Sequence, residues 1–109
     1  MEAEDKAADF LAKKGYELIA RNFRYGRNEI DLIVKKADVL VFVEVKMRSS
    51  NAFGYPESFV SDKQAERITV AAEEFQISND WTGNVRFDII SIEKTQEQTI
   101  IRHFEDAFF

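Results

Sequence analysis

The segment Asn28–Arg48, NEIDLIVKKADVLVFVEVKMR, constrains this chain more than any other, because two runs of strand length follow one another across the short link KADV and each carries acids inside an apolar stretch. Side chains alternate between the two sides of a strand, so Glu29, Asp31 and Ile33 share one side of the first run while Ile30, Leu32 and Val34 take the other. On the second run Glu44, Lys46 and Arg48 share a side, and Val41, Val43, Val45 and Met47 fill the opposite face. Charges set into strands that otherwise read as core are costly unless they are paired or bound to metal. A hairpin at the link puts Asp31 and Glu44 on neighbouring strands with Lys46 beside them, which is the outline of a site for a metal ion and a phosphate.

The chain has 109 residues, 45% of them hydrophobic and ten of them Phe. That is enough for one core, and a single domain over residues 1–109 is expected. The absence of cysteine excludes a disulfide framework and a thiolate zinc site. The acidic start MEAEDKAADF lacks the basic and apolar parts of a signal peptide, so a cytoplasmic protein is expected. The longest aliphatic and aromatic run, Val39–Val43, is far too short to cross a bilayer, and no membrane partner is expected. A net charge of −5 argues against a nucleic-acid binder that works by overall basicity. An acidic enzyme still acts on phosphodiesters where a metal supplies local positive charge and a few Lys and Arg line the approach.

Glu4–Lys14 reads as a helix rich in Ala, Leu, Lys and Glu that stops at Gly15. Glu4 falls on the i, i+4, i+7 line with Ala8 and Leu11, the inward stripe, although a first-turn glutamate favoured by the helix dipole has the same position. Tyr16–Tyr25 alternates as a strand, and Tyr25-Gly26-Arg27-Asn28 supplies a turn into the next, so three consecutive strands form a meander. Ser49–Glu57 is a loop with Gly54 and the only proline, Pro56; Arg48, Ser49, Ser50 and Asn51 either meet a substrate there or form plain surface.

Ser61–Ile77 carries a capping box of Ser61 and Gln64, a staple of Val60 and Ala65, and a buried stripe of Ala65, Ile68, Ala72 and Phe75. Lys63 and Arg67 lie four apart on one exposed face, where they are either solvated or turned to phosphate. Val85–Ile92 suits an interior strand, with Asp88 as a structural partner of Arg86, and Thr99–Phe104 is a last strand. His103, the only histidine, reads as structural. Phe104, Phe108 and Phe109 either pack back on the core or meet a second copy, from which a symmetric homodimer is an expectation.

The order helix, three strands, helix, strand, with an acid on the first helix, Asp on the second strand and Glu-x-Lys on the third, resembles the PD-(D/E)xK nuclease superfamily. More narrowly, AEDKAADFL, GYELIARNFR, NEIDLI, VFVEVKMRS, the FGYP loop, KQAERI, RFDIISI and HFEDAF together resemble the YraN-like family, small proteins allied to Holliday-junction resolvases. The resemblance implies an α/β (α+β) fold with a restriction-endonuclease-like αβββαβ core, a mixed central sheet flanked by helices. It also implies a catalytic set of Glu4, Asp31, Glu44 and Lys46, with Glu29 adjacent. Asn28 stands where the family commonly has glycine, and Asn tolerates the same turn conformations.

The chemistry of these residues is coherent in itself. Asp31, Glu44 and the Val45 carbonyl would hold Mg²⁺, or Mn²⁺, and leave positions open for water. Lys46 would orient the attacking water and stabilise charge on the phosphate, and Glu4 would hold a metal-bound water or a second ion. Nucleic acid, DNA in the first place, is expected across Lys46, Arg48, Lys63 and Arg67. The function so implied is metal-dependent cleavage of phosphodiester bonds in DNA, branched DNA included. Two other readings use the same residues. One is a non-catalytic module that binds nucleic acid or protein, with Glu44 and Lys46 as a structural pair, and the other is an oligomerising structural domain driven by the terminal phenylalanines.

Overall fold

The computed structural model describes residues 2–48 and 60–108, with Arg48 described by its backbone alone. The expectations for the Ser49–Glu57 loop, for the Arg48 side chain and for Phe109 lie outside the described residues. In chain order the elements are α1 (Glu2–Lys13), β1 (Glu17–Tyr25), β2 (Asn28–Lys36), β3 (Val39–Arg48), α2 (Asp62–Ser78), β4 (Asn84–Lys94) and β5 (Thr99–Phe104). The strands form one mixed sheet in the order β1-β2-β3-β4-β5. The meander β1–β2–β3 is antiparallel, β4 runs parallel to β3, and β5 is antiparallel to β4. A parallel neighbour requires a crossover, and α2 supplies it. The expected αβββαβ core is therefore present with one further strand.

Local sequence explains where the elements begin and end. Gly15 adopts φ +94°, and behind it the N–H of Tyr16 donates to the Leu11 carbonyl at 3.0 Å, the left-handed stop that closes α1. Tyr25 pairs with Asn28, so Gly26 and Arg27 form a two-residue turn, with Gly26 at φ +64° in the conformation such turns demand. The α2 helix starts on Ser61, whose Oγ accepts the N–H of Gln64 at 3.1 Å. The other half of the expected capping box is not made, because the Gln64 carboxamide turns away from the helix start and into the sheet.

Two apolar layers hold the sheet. On one side α1 places Ala7 and Leu11 against Leu32, Val34, Val41, Val43, Ile90 and Ile92. On the other α2 places Ile68, Ala72 and Phe75 against Ile33, Leu40 and Phe42, and Phe75 meets Phe23 edge-on at 5.1 Å. Each fully buried Leu, Ile or Phe contributes roughly 1.5–3 kcal/mol. Strict alternation fails in β1 and β2, and β3 ends exposed. Ile30 joins the α2 layer and not that of Leu32 and Val34, as does its β1 partner Phe23, and between them and the regular pairs lies Asn22 at φ +48°. Met47 is 46% exposed, since it lies past the last core residue of its strand. The tail returns on the core: Phe108 lies 5.6 Å from Phe87, ring to ring.

Asp88 and His103 have the structural role their sequence setting suggests. Asp88 is fully buried and accepts Arg86 Nε and Nη2, both at 2.8 Å, the Asp106 N–H at 3.0 Å and His103 Nε2 at 2.7 Å. The far ring nitrogen of His103 meets Lys14 Nζ at 2.7 Å, and Arg86 Nη2 donates to the Tyr16 hydroxyl at 2.6 Å. Burial raises the Asp88 pKa, but the bonds from His103, Arg86 and Asp106 outweigh it and hold the carboxyl below its usual range. This network ties the end of α1 and the tail to β4. Among the described residues no helix is long and apolar enough to cross a membrane.

Candidate functional site

The site is made by a fork in the sheet. Pairing between β2 and β3 runs from Lys36–Val39 to Leu32–Val43 and ends there, while β2 stays paired with β1 to Asn28 and β3 with β4 to Arg48. Strands that part leave backbone groups in need of partners. Asp31 meets that need, since its Oδ2 accepts the N–H of Val45 at 2.8 Å in place of a strand carbonyl. The hairpin thus brings Asp31 and Glu44 together, on the face that α2 covers, as their alternation requires.

The Glu44 carboxyl faces Asp31 closely enough to raise the proton affinity of Asp31 by its charge and by side-chain contact. Burial first, then the charge of Glu44, and more weakly that of Glu4, push the Asp31 pKa up from 3.8 to about 7 against the lowering effect of the Val45 N–H. Glu4 is 6% exposed on the inward stripe of α1, and its charge reaches the fork from the opposite layer. Glu44 is 8% exposed. Its Oε2 faces Lys46 Nζ at 3.0 Å and accepts from Gln64 Nε2 at 2.7 Å, while Lys46 Nζ donates to Gln64 Oε1 at 3.4 Å. The carboxamide therefore spans the carboxylate and the ammonium, with its nitrogen to the acid and its oxygen to the base.

A cavity of about 250 Å³ opens over these groups, walled by Arg27, Asn28 and Glu29 on one side and by Gln64, Arg67 and Ile68 of α2 on the other, with Asp31 and Glu44 also in its lining. A neighbouring groove of about 240 Å³ shares Asn28 and Arg67 and adds Lys63, Glu66 and Val70. Arg67 therefore lies at the carboxylate site, and Lys63 lies in the groove beside it. A larger cavity, about 480 Å³, lies between α2 and the tail, lined by Val60, Ala65, Val70 and Phe108 among others, and includes none of the carboxylates of the fork.

Among the described residues no three His, Cys, Asp or Glu side chains stand together as a ready metal cage. The protein donors at the fork are thus the two carboxylates, with Glu4 behind them. Mg²⁺ takes oxygen ligands, is commonly held by one or two carboxylates and keeps several waters, so this donor set fits it. Carboxylates held close in a buried place repel each other, and a bound cation relieves that repulsion. Val45 has a part the sequence did not suggest, holding Asp31 through its N–H.

Gln64 and Arg27 are the residues that sequence reasoning missed. Gln64 reads as a helix cap, yet it precedes Arg67 by three and Ile68 by four, one turn earlier on the stripe that faces the cavity. Arg27 sits next to Asn28 and Glu29 at the mouth of the same cavity, and its place in a turn hides it.

The arrangement defines a mixed α/β protein with α1 and α2 on opposite faces of one sheet and an acidic pair beside a lysine where the central strands part. By sequence the chain belongs to the uncharacterised protein family UPF0102, whose model matches residues 3–92. It is 44% identical over 106 residues to a UPF0102 protein of Flavobacterium psychrophilum, a match covering 97% of this chain and 89% of that protein. A UPF0102 protein of Christiangramia forsetii is 40% identical over 106 residues, with the same coverage. One from Persephonella marina is 39% identical over 108 residues, covering 98% of this chain and 90% of its own. The matched span contains Glu4, Asp31, Glu44, Lys46, Lys63 and Arg67 and stops before β5.

Proposed function

We propose that this protein is a metal-dependent nuclease of the PD-(D/E)xK type and of the YraN-like kind, cleaving phosphodiester bonds in DNA, branched DNA included. The observation that carries this reading is the fork, where Asp31 is fixed by the Val45 N–H at 2.8 Å, burial and the charge of Glu44 raise its pKa, and the Lys46 ammonium lies 3.0 Å from Glu44. A buried acidic pair in a cleft beside a lysine costs stability and serves no packing purpose, which favours a functional origin. Mg²⁺ or Mn²⁺, when bound, supplies charge neutralisation at the phosphate and a more acidic water. Asp31 and Glu44 would hold that ion, with the Val45 N–H fixing the Asp31 carboxylate. Lys46 orients the attacking water and balances negative charge as it builds on the phosphorus oxygens. Glu4, whose charge is felt at Asp31 from the other layer, would act through water. Lys63 and Arg67 receive the DNA backbone.

One observation favours the alternative, a non-catalytic binding module: Gln64 satisfies Glu44 and Lys46 together without any metal. Thermal melts separate the two readings. At tenfold excess over its dissociation constant a divalent ion stabilises by roughly 1.4 kcal/mol, a shift of about 4–8 °C per kcal/mol. The wild type should show that shift with Mg²⁺ or Mn²⁺ over EDTA, and Asp31→Asn should lose it. A wild type indifferent to metal, beside an Asp31→Asn variant that is destabilised, would leave the structural pair as the correct reading.

A further inference from the structure

The cations of this acidic protein are mostly committed to close partners. Lys6 and Lys94 pair with Glu2, Arg21 with Asp5, Arg24 with Glu29, Lys46 with Glu44 and Arg86 with Asp88. Lys14 meets His103, and Lys36 meets the Lys14 carbonyl. Among the described residues the lysines and arginines with neither an acid nor a hydrogen-bond partner are Lys13, Arg27, Lys35, Lys63 and Arg67. Lys13 and Lys35 lie at the far end, where α1 ends and β2 turns into β3. Arg27, Lys63 and Arg67 all line the cavity over the carboxylates or the groove that continues it.

The mounting of the two arginines is specific. Arg27 stands at the tip of a two-residue turn whose backbone is fixed by the Tyr25–Asn28 pair and by Gly26 at φ +64°. Arg67 stands on α2, anchored by the buried Ile68 beside it. Two rigid elements thus bring one arginine each to the lining of one cavity, with Asn28 in the same lining. A guanidinium presents a planar fork of donors matched to phosphate oxygens, which a lysine does not. The cavity floor is acidic, so it repels a bare phosphate; a second phosphate held at the rim lets the strand dock on cations while the first lies over the carboxylates.

We propose that Arg27 and Arg67 form a two-arginine clamp for the phosphate next to the one that is cleaved, with Lys63 taking the following phosphate along the groove. The inference rests on the nuclease reading and extends it to the path of the DNA strand, from the carboxylate pocket along the first turns of α2. Two acids share this region. Glu29 is paired with Arg24 at 3.5 Å, and Glu66 lines the groove itself and opposes the strand.

The test is binding of fluorescein-labelled single-stranded and branched DNA oligonucleotides, followed by anisotropy in EDTA over a range of salt. Arg27→Ala and Arg67→Ala should each weaken binding roughly fivefold to tenfold. The double variant should flatten the plot of log affinity against log salt by about 0.7 for single strands and about 0.9 for duplex arms, the value of one phosphate, and each single variant should flatten it by less. Arg27→Lys should keep the slope and recover only part of the affinity, because the charge remains and the fork is lost. Glu66→Gln should bind more tightly, and Lys13→Ala and Lys35→Ala should bind as the wild type does. Wild-type affinity and slope in both arginine variants, or no DNA binding by the wild type at all, would overturn the clamp. Metal-induced melting shifts of the same variants keep the two readings apart. A clamp that fails while the shift persists leaves the nuclease reading intact, and arginines that matter in a protein blind to metal leave a binding module.

Discussion

The Asp31 carboxyl makes the metal-free protein less stable as pH rises, in a window where ordinary carboxylates are silent. Its pKa is 3.8 when the chain is unfolded and about 7 in the fold. A group whose folded pKa is raised contributes stability that is fully present below the unfolded value and is lost as pH climbs through the folded one. The loss therefore falls between about pH 4 and pH 7. At about 1.4 kcal/mol for each tenfold change in proton affinity the displacement corresponds to no more than about 4 kcal/mol. Access of solvent through the cavity mouth and the coupling of Asp31 to a neighbouring charge bring it to roughly 2 kcal/mol. For a chain of this size that is a fall in Tm on the order of 10 °C. Melts in EDTA from about pH 4 to pH 8 should show the fall in the wild type and a nearly flat curve in Asp31→Asn, whose amide still accepts the Val45 N–H. Saturating Mg²⁺ should reverse the trend, because the ion competes with the proton for the same oxygens. A wild type flat across this window, or an Asn variant that falls in parallel with it, would refute the raised proton affinity of Asp31 at the fork.

Gln64→Glu places an acid at the third position of α2, where helix rules predict a gain from the capping box and the dipole. The contact of Gln64 with Glu44 predicts the reverse, a loss of about 1 kcal/mol in EDTA from like-charge repulsion, partly recovered with Mg²⁺ and visible in melts. Asp88→Ala strands Arg86, His103 and the Asp106 N–H at once and should cost about 3–5 kcal/mol in urea unfolding, while the metal-induced shift of the folded protein stays unchanged. Because the Asp88 carboxyl is held below its usual range, its contribution is present above about pH 4 and disappears as pH falls through the folded value. Wild type and Asp88→Ala should therefore converge in stability at the acid end of a pH series.

Much of this fold was legible because the apolar pattern is unambiguous. The alternation through NEIDLIVKK and VLVFVEVKMR fixes which face each strand presents, and the two-residue turns leave little freedom in register. That is why Asp31 and Glu44 could be placed on neighbouring strands, and Glu4 on the inward stripe of α1, from residue types alone. The fork itself was not legible. It depends on where pairing stops, and nothing in the run Ile30–Val34 marks Leu32 as its last paired residue, so the Val45 bond to Asp31 was hidden, as was the move of Ile30 to the α2 layer. Gln64 was misread because two good partners compete for it, and the choice between the Ser61 backbone and Glu44 is made by tertiary packing. Arg27 escaped notice because turn residues are read for backbone conformation, while the direction of their side chains depends on how the sheet twists.

Cleavage itself tests the central claim most directly. Purified wild-type protein is incubated with four-way-junction, single-stranded and duplex DNA in EDTA, Mg²⁺ or Mn²⁺, beside Asp31→Asn, Glu44→Gln and Lys46→Ala variants shown by their melts to be folded. The expected result is strand scission by the wild type that requires the divalent ion, with each variant reduced by a factor of at least about 100, the scale set by loss of one electrostatic group at a reacting centre. Wild-type protein that takes up metal with the melting shift described above and still leaves every substrate intact would contradict the claim, and so would scission that survives in the Lys46→Ala and Asp31→Asn variants.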